Sequence, residues 1–274
     1  QQREAVRPIA SDQQRLDPKN PATRPVAGRR SHGPKMLGLG AIACFMEYTG
    51  WIEWAEYGLG YLDDILASHV NLGEQDELAR TYDMWEFVAE DGSPWLDADG
   101  ALLSDPGHST EFVGLALKML RVAGEQGALA ELPGDRVEHY HSVLPEVLKR
   151  NFDNGFAPSG KGIAKSIDLI TREPLYADMP WWSLPETMRA AGEGAVVCPE
   201  SERMEMARVA ASASNAFMRY YVRPDLRLMA YQTVDPAGRP VASLPATPDA
   251  DPGYHTGLSL IDFLARVEEA LLSQ

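Results

Sequence analysis

The chain has 274 residues, 45% of them hydrophobic and 24% charged, with a formal net charge of −15. Such a composition builds a sizeable core, in one large domain or two small ones. The acidity excludes a surface that holds nucleic acid or anionic lipid by bulk electrostatics, and no window approaches the ~20 apolar residues of a membrane span.

Cys44 and Cys198 are far apart and lack metal-ligand spacing. Neither a disulfide framework nor a metal or other cofactor is therefore expected, and a reducing, cytoplasmic setting fits. No signal segment opens the chain, and its start on Gln1 suggests trimming or a piece of something longer.

Residues 1–34 are polar and rich in proline, and predict an extended N-terminal arm or loop ahead of a helical domain spanning 35–274. "KMLGLGAIACFMEYTG" predicts an apolar helix with a Thr-Gly stop. "WIEWAEYGLGYLDDILASHV" predicts a second, with apolar residues three and four apart. Together they form an αα-hairpin. The pattern recurs as Ser109–Leu132 with Asp135–Asn151, then Trp182–Gly192 with Glu202–Val222, and Tyr254–Ser273 closes the chain. The stretches beginning "NGFAPSGKG" and "RLMAYQTVD" alternate and carry turn residues, predicting short hairpins or extended loops. The reading is all-α, with no βαβ alternation and hence no doubly wound nucleotide-binding sheet. Long, unequal loops between the hairpins favour an α/α toroid with a pocket at one end over a solenoid.

Two of the loops end alike. In "SDPGHSTEF", Asp105 can cap a helix and Pro106 suits its first position, placing His108 in the first turn. The helix dipole there disfavours imidazolium and would keep His108 neutral; Glu111 follows on the same face. "DPGYHTG" repeats the arrangement with Asp251, Pro252, Tyr254 and His255. Each alone reads equally as an ordinary cap. As a pair at one end of a toroid, the histidines suit proton abstraction beside a carbonyl and return from the other side.

Between them, "MPWWSLPE" sets Trp181 and Trp182 at a loop-to-helix junction before Glu186, either as core or as a platform for a sugar ring. "TYDMWEF" offers Asp83, Trp85 and Glu86 as a cavity-lining loop or a short buried strand. His139 and His141, two apart on a helix, do not share a face, and His69 ends a helix where a histidine suits the dipole.

These motifs, Asp105-Pro106-Gly107-His108 with Glu111, Trp181-Trp182 with Glu186, and Tyr254-His255, fall in the order and spacing of one family. The sequence resembles the N-acylglucosamine 2-epimerase family, with its cellobiose 2-epimerases and aldose–ketose isomerases, from about Leu16 to the C-terminus. The resemblance implies an (α/α)6 barrel and a sugar substrate opened to its chain form. His108 and His255 would exchange the C2 proton through a cis-enediol(ate), with Glu111 assisting ring opening. Glu186, Trp181, Trp182, Trp85 and Tyr254 would hold the sugar. No cofactor and no metal are implied.

The chain departs from the family at Leu37, where a cavity histidine is usual, at Gly40, where an acid is usual, and at Asp105 in place of a histidine. Its predicted helices are also too few to close a ring of about twelve. A missing N-terminal barrel segment or a second subunit is therefore the expected partner. Two other readings stand beside this one. The first is a glycoside hydrolase using Glu111, Glu186 and Asp83; the second is a non-catalytic binding relative.

Overall fold

The computed structural model describes residues 26–73, 78–130, 132–226, 229–241 and 253–272. Residues 1–25 of the expected arm, and Asp251 and Pro252 of the second cap, lie outside them. Residues 30–34 are no arm: Arg30–Ser31 is a strand (β1), and helix α1 spans Gly33–Thr49. Pro34 opens α1 where its missing N–H costs nothing, and Gly50, at φ +71°, closes it with a bond to the Met46 carbonyl. Met36, Leu39, Ala43 and Met46 fall on one buried stripe, as a helix packed on one side requires.

Helix α2 is Trp54–His69, α3 Pro106–Glu125, α4 Gly134–Gly155, α5 Ser183–Val197 and α6 Glu200–Ala216. A wider π-helical turn, Phe217–Tyr221, extends α6, and another, Tyr254–Leu258, precedes α7, Ser259–Leu272. The short strands are β2 (Phe87–Val88), β3 (Leu103–Ser104), β4 (Ser166–Asp168), β5 (Pro174–Tyr176), β6 (Met179–Pro180) and β7 (Thr233–Val234). Two predicted ends move. The α3 helix stops at Glu125 rather than Leu132, and α5 runs on to Val197.

Helices α1, α3, α5 and α7 stand side by side as an inner row, while α2, α4 and α6 back them as an outer row. The first twelve residues of α5 are all buried, and nearly all of α3 is, because each is covered on several sides. Neighbouring inner helices are parallel and in register. A Cβ on Gly107 would meet Trp182 and the Ser183 side chain at 2.9 Å, and one on Gly114, seven residues on, would meet Ala190, also seven residues on. Glycine at these two places lets α3 and α5 approach backbone to backbone. Thr110 and Thr187 join the pair between them, oxygen to oxygen at 2.9 Å.

A strand, an inner helix, an outer helix and a returning strand form one unit, and the unit occurs three times. In each, the returning strand pairs antiparallel with the strand that opened it: Arg30↔Val88, Leu103↔Asp168 and Met179↔Val234. The first and third units even share their turn. Ala89 bonds to Ser93 and Asp235 to Arg239, with Gly92 and Gly238 both in the left-handed region. Among the described residues these strand pairs lie at the N-terminal end of the inner helices, the end where the helix dipoles point their positive poles.

Candidate active site

Three inner-helix starts converge there. Asp105 caps α3 by accepting from the Gly107 and His108 amides, leaving His108 in the first turn. Its Nδ1 lies 3.0 Å from Glu86 Oε2 and 3.3 Å from Asp105 Oδ2. Ionised carboxylates only accept, so Nδ1 carries the hydrogen; among the described residues Nε2 has no hydrogen-bond partner. Lys165 reaches the same Asp105 oxygen. Burial alone would lower the His108 pKa, but Asp105 and Glu86 outweigh it, against Lys165, and push it up to about 9. The expected neutral imidazole is thereby corrected: two carboxylates at contact distance outweigh a partial helix charge.

His255 repeats the device. Its Nδ1 lies 3.0 Å from Oε1 of Glu186, in the first turn of α5. That oxygen also accepts from Ser259 Oγ at 2.9 Å, and Oε2 accepts from Arg189 at 2.7 Å. Glu186 is therefore fully enclosed and acts as a bracket. Glu111 lies beside it, with Oε1 3.8 Å from His255 Nδ1 and without a hydrogen bond among the described residues. Burial, then the Glu186 charge, push the Glu111 carboxyl up to about 7, against the pull of His255, His108 and Arg189.

Trp182 sits against both imidazoles. Ring centroids are 5.2 Å apart in each case, with tilts of 31° and 34°, so the histidines are no more than two such separations apart. Trp181 meets His255 edge-on, and Tyr254 does so from another side. Both tryptophans are buried, at 3% and 2% exposure. They offer no open face as a sugar platform; they space and wall the histidines. Lys165 lies over the Trp182 ring at 5.0 Å, adding a cation–π contact.

Sequence reasoning chose the right loop at "TYDMWEF" and the wrong side chain. Successive residues of an extended segment point to opposite sides. Glu86 faces the site, while Trp85 turns into a small second core with Val88, Leu102 and Ile167 and donates its indole N–H to the Ser68 carbonyl. Asp83 is held by Arg172 and Asn154, so it is structural.

His32 was missed altogether. Buried at the start of α1, it bonds Glu86 through Nε2 at 3.2 Å and lies edge-on to both His69 and His108. Its signal was "SHGP", a histidine just ahead of a proline helix start. His69 is not the dipole-stabilised cation expected: burial, then His32, lower it to about 4, and Nδ1 faces the Trp85 carbonyl. Leu37 is about half exposed on α1. Above Gly40, the space a side chain would take is bounded by Leu115 and the Tyr254 hydroxyl.

Two groups, His32/Glu86/His108 and Glu111/Glu186/His255, each bring three ligand-type atoms within 4.8 Å. Imidazole-to-carboxylate hydrogen bonds account for the closest of these contacts.

No family model matches the chain, and no curated protein matches it. Among solved structures it is similar to a D-mannose isomerase, with 13% identity and a TM-score of 0.64 over 89% of this chain and 58% of that one. A sugar epimerase from a ruminal bacterium gives 14% and 0.63, over 86% and 54%. The cellobiose 2-epimerase of Bacillus thermoamylovorans gives 14% and 0.54, over 89% and 74%. The chain thus spans little more than half the length of the first two. It has the fold of these sugar isomerases and epimerases, an all-α toroid with short strands gathered at one end.

Proposed function

We propose that the chain belongs to a carbohydrate epimerase or aldose–ketose isomerase of the N-acylglucosamine 2-epimerase type, acting on the open-chain form of an aldose. One observation carries this reading. Two histidines at the starts of inner helices each have Nδ1 braced by a buried carboxylate and flank a single indole. Bracing Nδ1 presents Nε2 of His108 as the atom for proton transfer, following triad logic, and His255 is given the matching part.

In this mechanism one imidazole removes the C2 proton, and the C2–H electrons move into C1–C2 as the carbonyl oxygen gains charge, giving a cis-enediol(ate). The other histidine, as imidazolium, delivers a proton. Delivery to the opposite face of C2, with the C1 carbonyl re-formed, yields the epimer; delivery to C1, with the O2 proton passed to O1 as the C2 carbonyl forms, yields the ketose. His108, with two carboxylates against Nδ1, is the natural resting acid. His255, held by Glu186 through Nδ1, is given the complementary part of the base. Glu111, near neutral pKa, moves the ring-opening proton. Tyr254 and the tryptophans shape the walls, with the enclosed Glu186 holding His255 rather than a sugar hydroxyl.

The carboxylate pair a hydrolase needs is poorly served, since Glu186 is spent on three partners and Asp83 on Arg172. Incubation of the assembled protein with mannose, glucose, cellobiose and N-acetylmannosamine in deuterated water should show deuterium entering C2. Absence of exchange with every aldose would count against an epimerase and leave a binding role.

Ring closure is part of the proposal. On the α1 side Phe45, Tyr48 and Trp51 are exposed, and on the α7 side Ile261 and Leu264 are. A groove of about 740 Å³ lined by Gly192, Ala195, Met204, Ala207 and Phe263 runs beside α6 and α7, where the alternation puts the next outer helix. Apolar faces of this kind call for a cover, here an N-terminal barrel segment or a second subunit. A soluble, stable monomer of residues 1–274 alone, by light scattering, would overturn that. No described helix is long and apolar enough to cross a membrane, and Cys44 and Cys198 are both free thiols.

A further inference from the structure

His32 has no part in the reaction as described, yet it is 1% exposed and lies one residue from the N-terminus of an inner helix. It does no capping, since its side chain makes no bond to the helix amides. A buried imidazole with one nitrogen unpartnered, here Nδ1, costs free energy that an apolar residue in the same place would avoid. Its Nε2 meets the same Glu86 oxygen, Oε2, that His108 Nδ1 meets, at 3.2 and 3.0 Å. Glu86 stands just before β2 with its amide on the Leu103 carbonyl, which fixes its backbone and leaves the carboxylate's rotation to its side-chain partners. Two N–H donors converging on one oxygen do fix it.

We propose that His32 is a positioning residue for proton transfer, holding Glu86 Oε2 alongside His108 so that the carboxylate keeps His108 in one orientation and, when the ring is neutral, in one tautomer. This rests on the reading of His108 as a proton-transfer group. The charged and titratable groups around the trio are His69 on α2, Lys35 on α1, Arg29 ahead of β1, and Asp105 with Lys165 beyond His108.

The test compares His32→Gln, whose amide N–H can replace Nε2–H, with His32→Met, which fills similar volume without a donor. Imidazole nitrogen NMR on the assembled protein reads the His108 tautomer and its titration, and steady-state kinetics with the best aldose read kcat and KM. In His32→Met, neutral His108, read above its pKa, should lose its single Nδ1–H form, and kcat should fall about 10- to 100-fold with KM little changed. His32→Gln should restore both. A His108 spectrum unchanged in His32→Met overturns the proposal, as does equal loss in both variants, which would make the ring's packing the cause. If His32→Met does not fold, His32→Asn replaces it, because its amide stops short of Oε2. The NMR result stands whether or not any sugar is turned over, so failure of the proposed reaction and failure of this role are distinguishable.

Discussion

The two braced histidines use one device with different partners. Each Nδ1 faces two carboxylates, one of which is paired with a buried cation, Lys165 on one side and Arg189 on the other. His108 faces Glu86 and Asp105, and Glu86 is shared only with another imidazole. His255 faces Glu186, whose charge is answered by a guanidinium buried beside it. Each carboxylate holds its imidazole by Nδ1, so two similar caps in sequence acquire their brackets through partners far away in the chain.

Several experiments can break or sharpen that contrast. The largest effect should come from His255→Asn and His108→Asn, each lowering kcat about 10²- to 10⁴-fold in deuterium-exchange assays. Near-native activity in either variant would show that only one histidine is needed and end the two-sided scheme. Next, Arg189→Met strips Glu186 of its countercharge in a fully buried place and should cost about 3–5 kcal/mol by denaturant unfolding. An unchanged midpoint would show the bracket needs no guanidinium.

Glu86→Gln should act on pH dependence. With a carboxylate gone, the His108 pKa falls from about 9 toward its ordinary value, and the alkaline limb of the rate profile moves down with it. Stability follows the same sign. A histidine raised on folding stabilises below its unfolded pKa, near 6.5. That contribution fades as pH rises through about 9. Melting temperatures at pH 6 and pH 9.5 should therefore differ more in the native chain than in His108→Asn.

The smallest effect is opposite in sign. Glu111 carries a pKa raised to about 7, so its charged form destabilises the fold above that pH and its protonated form relieves it below. Glu111→Gln should raise the melting temperature at pH 8 by a few degrees while slowing turnover; a lower melting temperature would contradict the burial of an unpaired carboxylate.

Much of this was readable from the residues alone, and the failures have physical reasons. The cap at Asp105-Pro106 and the helical pairs announce themselves because they depend on neighbours in sequence. Glu86 does not, because its role comes from the loop's side-chain alternation meeting a helix start twenty-two residues on. His32 hid inside a proline-rich stretch that gave no helical period until its second half. The threefold strand repeat was invisible since strands of two or three residues are too short to show alternation. Trp181 and Trp182 could not be assigned between wall and platform until their burial was known.

Beneath the histidines, charge runs from one end of the inner row to the other: Glu47 on α1 to Lys118 on α3, Lys118 to Asp262 on α7, Asp262 to Arg189 on α5, and Arg189 to Glu186. His255 hangs on the last of these. His255 is therefore mounted in the turn that opens the last described inner helix and joined by a string of ions to the opposite margin. A change at α7 thus has a route of contacts to the His255 bracket. Amide exchange along α7 should slow and turnover should rise together as the ring is completed.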